Sequence, residues 1–270
     1  MSEAPIGIFD SGIGGLTVLR EIQKKLPHEN LIYLGDTARV PYGTKSADTV
    51  IRYSIHNVNF LLQKKVKMIV VACNTASAFA LTTLQTSYNF PILGVIEPGA
   101  QAALHHSTSG HIGVIGTEGT IASHAYANRL TDLKPQTHVT SLACPLFVPL
   151  AEEGWLEGEI PEKIAQTYLK KFSEDHAIID TLILGCTHYP LLKKTIQKVM
   201  GPDVTLIDSA EATASFTEDI LNQKKIRSTS QQPGRLSFFV TDSTEKFKHV
   251  GALFLKQPIH EVEHVSIGTS

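Results

Sequence analysis

Short apolar runs alternate with longer helix-period segments along almost the whole chain, and midway the alternation starts again. Ile6–Phe9, Leu31–Leu34, Met68–Ala72 and Ile92–Val95 read as strands in the first half. Between them Leu16, Leu19, Ile22 and Leu26 recur at helical spacing. Ser46 is placed to N-cap a helix carrying Val50, Ile51, Ile55, Val58, Leu61 and Leu62, and another helix is expected from about Thr75 to Ser87. The second half predicts strands at Ile112–Ile115, His138–Leu142, Thr181–Leu184, Val204–Ile207 and Leu236–Thr241, and helices over Ile121–Leu133, Pro161–Phe172, Ala212–Asn222 and Thr244–Leu255. Runs that are apolar throughout, joined by helical crossovers, indicate parallel sheet covered on both faces.

The restart is an internal repeat. IGIFDSGIGG opens one copy and IGVIGTEGTI the other; VVACNTA in the first answers LILGCTH in the second. Gly7 thus matches Gly113, and Cys73 matches Cys186. A repeat this long is no solenoid unit. The expected fold is α/β: two similar, pseudo-symmetric lobes, each a mainly parallel sheet flanked by helices, with the active site in the cleft between them and a boundary near Glu97–Pro98. The length of 270 residues with 42% hydrophobic content suffices for such cores, and a net charge of −2 argues against a nucleic-acid footprint. No apolar run approaches a membrane span, and the N-terminus passes from MSEAP into IGIF without a signal-peptide pattern. The odd number of cysteines, three, points to free thiols in a reducing compartment, so a cytoplasmic location is expected.

In open parallel sheets ligands bind beyond the carboxyl ends of the strands. The loops that qualify are Asp10–Gly15, Gly35–Gly43, Cys73–Thr75 and Cys186–Pro190, with Gly116–Thr120 and Cys144–Gly154 as second-lobe counterparts. Both duplicated thiols lie on that edge. A single cysteine after a strand is more often a small buried hydrophobe. Two at equivalent places of a repeat, each followed by a polar residue and a helix start, favour function, and a helix N-terminus is expected to lower a thiol's pKa. Cys144 has no repeat partner and reads as structural. Opposed thiols have several uses. Cys73, Cys186 and His188 offer zinc three ligands, but paired Cys-x-x-Cys spacing is missing. A nucleophile–base pair explains one cysteine with His188 and not the other. Two acid/bases on opposite faces of one carbon explain both, and invert a stereocentre.

DSGIGGLTVL at 10–19, YLGDTARVPYG at 33–43, ACNTASA at 72–78, SLACPLFVPL at 141–150 and LGCTHYPLL at 184–192 closely resemble the glutamate racemases, over about Ile6 to Leu255. ACNTA alone marks only the wider aspartate/glutamate racemase superfamily; PYG with GCTHYP is specific to the glutamate enzymes. The resemblance implies interconversion of L- and D-glutamate with neither pyridoxal phosphate nor metal, D-glutamate going into peptidoglycan. It implies Cys73 and Cys186 as the bases, Asp10 and His188 as their assistants, and Glu152 near His188. Ser11, Tyr42, Gly43, Asn74, Thr75 and Thr187 map to the family's substrate contacts, beside Asp10 and His188, with Thr117 and Thr120 as additions. The resemblance implies lobes of 1–97 plus 208–270 and of 98–207, and a homodimer that binds neither nucleic acid nor membrane. Some relatives with an N-terminal extension need a cell-wall precursor as activator; here, with the first strand near Pro5, independence of it is expected.

Competing readings remain for these residues. Asp10 and Ser11 also suit N-capping. Gly12, Gly14 and Gly15 with Asp36 sketch a dinucleotide site, but the third glycine is missing and both thiols would stand idle. Glu152 lies in an acidic stretch that suits a solvated face. His260-Glu261-Val262-Glu263-His264 matches the zinc-protease motif, yet Pro258 precedes it and few residues follow, so an edge strand or frayed end is expected, with truncation from Pro258 or a chelator sparing turnover. A non-catalytic two-lobe binder of a small acidic ligand is the alternative function.

Overall fold

The computed structural model describes residues 2–174 and 179–268. The chain runs β1 (Ile6–Asp10), α1 (Leu16–Lys25), β2 (Leu31–Gly35), α2 (Ala47–Gln63), β3 (Met68–Val71), α3 (Asn74–Ser87), β4 (Ile92–Gly94) and α4 (Ile96–His106). It continues through β5 (His111–Gly116), α5 (Glu118–Ala122), α6 (Ala125–Leu133), β6 (His138–Ala143), α7 (Phe147–Glu152), α8 (Glu159–Leu169), α9 (Lys171–Glu174) and β7 (Thr181–Gly185). Last come α10 (Lys193–Met200), β8 (Thr205–Asp208), α11 (Ser209–Gln223), β9 (Leu236–Val240), α12 (Thr244–Leu255) and β10 (Glu263–His264).

The strands form two parallel sheets, ordered β10-β9-β2-β1-β3-β4 and β6-β5-β7-β8. The orders β2-β1-β3-β4 and β6-β5-β7-β8 correspond one for one, which is the sequence repeat in three dimensions. Strand period splits each apolar run between two layers. On β1, Ile6 and Ile8 join one core and Phe9 another; on β7, Leu182 and Leu184 face one layer and Ile183 the other. Each large apolar side chain so buried contributes on the order of 2 kcal/mol. Among the described residues, no helix is long and apolar enough to cross a membrane.

Two local expectations need correction, and a third holds. The helix expected over 121–133 is broken: α5 starts earlier, capped by Thr117, whose Oγ1 accepts the Thr120 N–H at 3.2 Å, and His124, at φ 56, turns the chain into α6. Helix α4 was absent from the sequence reading because Pro98 and Gly99 resemble a turn; proline in a first helical turn forfeits no hydrogen bond. The C-terminal tail, expected as an edge strand or frayed end, forms the edge strand and packs on both cores of the first sheet. Ile259 is buried in the first core, Val262 packs on it, Val265 and Ile267 pack on the second, and β10 extends the sheet beside β9. The HEVEH stretch therefore ends in an edge strand rather than a zinc-binding helix.

Candidate active site

Cys73 and Cys186 follow the corresponding strands β3 and β7, and both are almost fully buried. They line one cavity of about 30 Å³, together with Ser11, Tyr42, Gly43, Asn74, Thr75, Thr117, Thr187 and His188. That volume holds about one water molecule, far less than an amino acid needs. A wider groove of about 1000 Å³ opens among Arg20, Lys193 and Lys194, but no thiol lines it.

The two sulfurs have different surroundings. Cys73 caps α3: the Ala76 N–H donates to Sγ at 3.5 Å, and Ser11 Oγ lies 3.7 Å away. The lowering expected from the helix N-terminus is overwhelmed. Burial, then the Asp10 charge, push the Cys73 thiol up to about 12, against the Ala76 N–H and Ser11. Asp10, at the end of β1, accepts the Gly12 N–H at 2.8 Å through Oδ2, while buried Oδ1 has no hydrogen-bond partner among the described residues. Burial also raises its carboxyl above the ordinary range, opposed by the charge of His188 and by nearby backbone N–H groups.

On the other side, Cys186 Sγ lies 3.8 Å from His188 Nδ1, and His188 Nε2 lies 3.1 Å from Glu152 Oε1. Burial works to lower the imidazole, but the Cys186 and Glu152 hydrogen bonds and the Cys186 and Asp10 charges override it and raise His188 to about 10. Glu152 is held below the usual carboxylate range, first by its bond to His188. A protonated imidazole can donate from both nitrogens, toward the Glu152 carboxylate on one side and the Cys186 sulfur on the other. Glu152 ends α7, an element hidden from the sequence reading by its shortness and Pro149.

The remaining sequence candidates are drawn into the same place. Thr75, Thr117 and Thr120 join their hydroxyls in a triangle with sides of 2.9 to 3.1 Å, bridging the two sheets' loops. Gly14 leaves room for the other half of the site: a Cβ there would collide with Thr187 Oγ1 and His188 Nδ1. Thr17 Oγ1 donates to the Thr187 carbonyl at 3.1 Å across the same junction. Tyr42 lines the cavity, but its hydroxyl is committed to Asp36 and receives Asn57 Nδ2 at 3.1 Å. Asp36 is fully buried and also accepts from Arg39 at 2.9 Å and Thr241 at 3.0 Å. It anchors the 36–43 loop and offers nothing to a ribose, which removes the dinucleotide reading. Among the described residues, no three His, Cys, Asp or Glu side chains are grouped to hold a metal ion. Tyr126 reaches the site unannounced: it sits on α6, and no local sequence signal ties it to Asn74, to which it is hydrogen-bonded.

A family model described as Asp/Glu/Hydantoin racemase matches residues 7–217. The glutamate racemase of Geobacter metallireducens is 52% identical over 262 residues, which is 97% of this chain and 96% of that protein. The crystal structure of the Francisella tularensis glutamate racemase in complex with D-glutamate superposes with a TM-score of 0.92 at 40% identity, covering 98% of each chain. The Escherichia coli glutamate racemase, solved with L-glutamate and the activator UDP-MurNAc-Ala, gives 0.79 at 27% identity over 98% of this chain and 99% of its own. Matched along nearly its whole length in sequence and in fold, the chain belongs to the Asp/Glu/hydantoin racemase family, among the glutamate racemases.

Proposed function

We propose that this chain interconverts L- and D-glutamate by two-base proton transfer at Cα, supplying D-glutamate for peptidoglycan. One observation carries the mechanism: thiols from corresponding strands of the two sheets line one cavity, each with its own proton-handling neighbours. With His188 as imidazolium, Cys186 is the thiolate that removes the Cα proton of L-glutamate. Cys73, whose thiol holds its proton, delivers that proton to the opposite face and is left as thiolate. The reverse reaction exchanges the roles, with Asp10 beside Cys73 and the His188–Glu152 pair behind Cys186. Ser11, the Tyr42–Gly43 backbone, Asn74, Thr75, Thr117, Thr120 and Thr187 surround the substrate's carboxylates and ammonium. No cofactor or metal takes part in these steps.

In the same reading residues 1–97 with 208–270 form one lobe and 98–207 the other. The protein acts in the cytoplasm, in keeping with three free buried cysteines. It acts as a homodimer, in keeping with the exposed apolar Leu146, Trp155 and Ile160. Sedimentation at micromolar concentration checks the dimer.

The chemistry is tested by replacing each cysteine with alanine and following racemisation and solvent deuterium at Cα. Cys73→Ala and Cys186→Ala should each abolish racemisation, and Cys144→Ala should keep most of it. A dispensable Cys73 or Cys186 would sink the two-base assignment. A wild-type protein that binds glutamate without incorporating deuterium would instead be the two-lobe binder.

A further inference from the structure

Asn74 opens α3 in the cavity wall and is 2% exposed. Its Oδ1 accepts a 2.8 Å hydrogen bond from the Tyr126 hydroxyl, while its buried Nδ2 has no hydrogen-bond partner among the described residues. A buried amide N–H₂ left unpaired is costly, and such groups in a native protein call for an explanation. A primary amide is nearly symmetric in shape and differs end to end only in donating or accepting, so whatever binds one end decides what the other presents. Burial raises the Tyr126 phenol well above its ordinary value, so the hydroxyl keeps its proton and donates at any working pH. The ring is fixed as well: a Cβ on Gly185, next to Cys186, would lie 3.1 Å from it, and one on Gly99 would lie 3.1 Å from the hydroxyl oxygen.

We propose that Tyr126 is a positioning residue for the reaction: its hydroxyl holds the Asn74 side chain with the oxygen turned away and the N–H₂ offered to a carboxylate of the substrate in the cavity. This rests on the cavity being the substrate site. Tyr126 belongs to the second sheet's helices and Asn74 to the first sheet's, so the amide is oriented only when the two halves meet. The carboxylate completes the pairing that the apoprotein leaves open, and the gain is in binding rather than in the proton transfers.

The test is a cycle of Tyr126→Phe, Asn74→Ala and the double variant, with KM and kcat measured for both enantiomers. Loss of one oriented hydrogen bond to a charged group should raise KM by about tenfold or more in Y126F, with kcat changed by less than about twofold. N74A should raise KM at least as much, and the double variant should be no worse than N74A, because no amide remains to orient. A tyrosine that merely supports the fold would add its own loss in the N74A background, and that additivity overturns the proposal. So does a Y126F protein with unchanged KM. Asn74→Asp reads the same device without disturbing the tyrosine: an acceptor for Tyr126 persists but no N–H₂ is offered, so KM should rise, and an unchanged KM overturns the proposal. These outcomes are separate from the two-thiol mechanism, which stands or falls on the cysteine variants alone.

Discussion

Glu152 and Cys186 hold the two ring nitrogens of His188, and that double grip lifts the imidazole to about 10 against the pull of burial. Since the raised form is the protonated one, kcat/KM in the free enzyme should hold through neutral pH and decline as pH rises through about 10, when the imidazolium that stabilises the Cys186 thiolate is lost. Glu152→Gln removes the charge behind that proton, so the alkaline limb should move to lower pH. A pH–rate profile of the two proteins measures it, and a limb that stays in place would exclude His188 as its origin. Cys144 offers the contrast. Its thiol is also pushed up to about 12, first by burial, yet it does not line the cavity, and among the described residues its one hydrogen bond is to the Leu142 carbonyl at 3.9 Å.

At the scale of elements, the short strand β10 and the residues around it matter more than their length suggests. Removing the chain from Pro258 onward takes Ile259, Val262, Val265 and Ile267 out of two cores and uncovers the edge of β9. At roughly 1.5–3 kcal/mol for each fully buried side chain, and less for those partly exposed, the loss is several kcal/mol. A Tm lower by roughly 10 °C or more is expected by calorimetry, with no recovery on adding zinc; an unchanged Tm would show the tail to be idle. The sequence reading set HEVEH aside as a ligand motif in favour of an edge strand or frayed end, and the strand is there; what it did not give is that the aliphatics around it divide between two cores, Ile259 and Val262 on the first and Val265 and Ile267 on the second. Elsewhere periodicity was legible where it was strong. The Ser46 cap and helix α12 fall where the pattern put them, and the repeat located both thiols. What escaped were elements whose signal is tertiary. α4 hides behind Pro98 and Gly99, α7 behind Pro149, and the break at His124 follows from the Thr117 cap, which belongs to the cavity wall. Tyr42 was legible as a cavity residue but not in its orientation, because Asp36 and Asn57 claim its hydroxyl from inside the first core.

Across the whole molecule, the cavity between the sheets has about 30 Å³ of free space, less than glutamate fills, so its walls have to give way when substrate enters, and parting of the two halves is one way to do so. The contacts that would then yield are the threonine triangle and the packing of Gly14 against Thr187 and His188. If that parting limits turnover, kcat should fall as sucrose raises the solvent viscosity; a flat dependence would place the slow step in the proton transfers. The pairing of two thiols in one chamber has a further effect. If they act as proposed, then after L-glutamate becomes D-glutamate the hydrogen nucleus taken by Cys186 remains there and Cys73 is bare, so the emptied protein is a different prototropic isomer from the one that began. That isomer is ready only for the mirror-image reaction until the missing hydron is returned from one thiol to the other. A catalyst of that kind would carry a memory of the last enantiomer it released. Where the return of the hydron is slower than bond breaking, that memory would set the pace at which an isotopically labelled pool drifts toward equality at high substrate concentration.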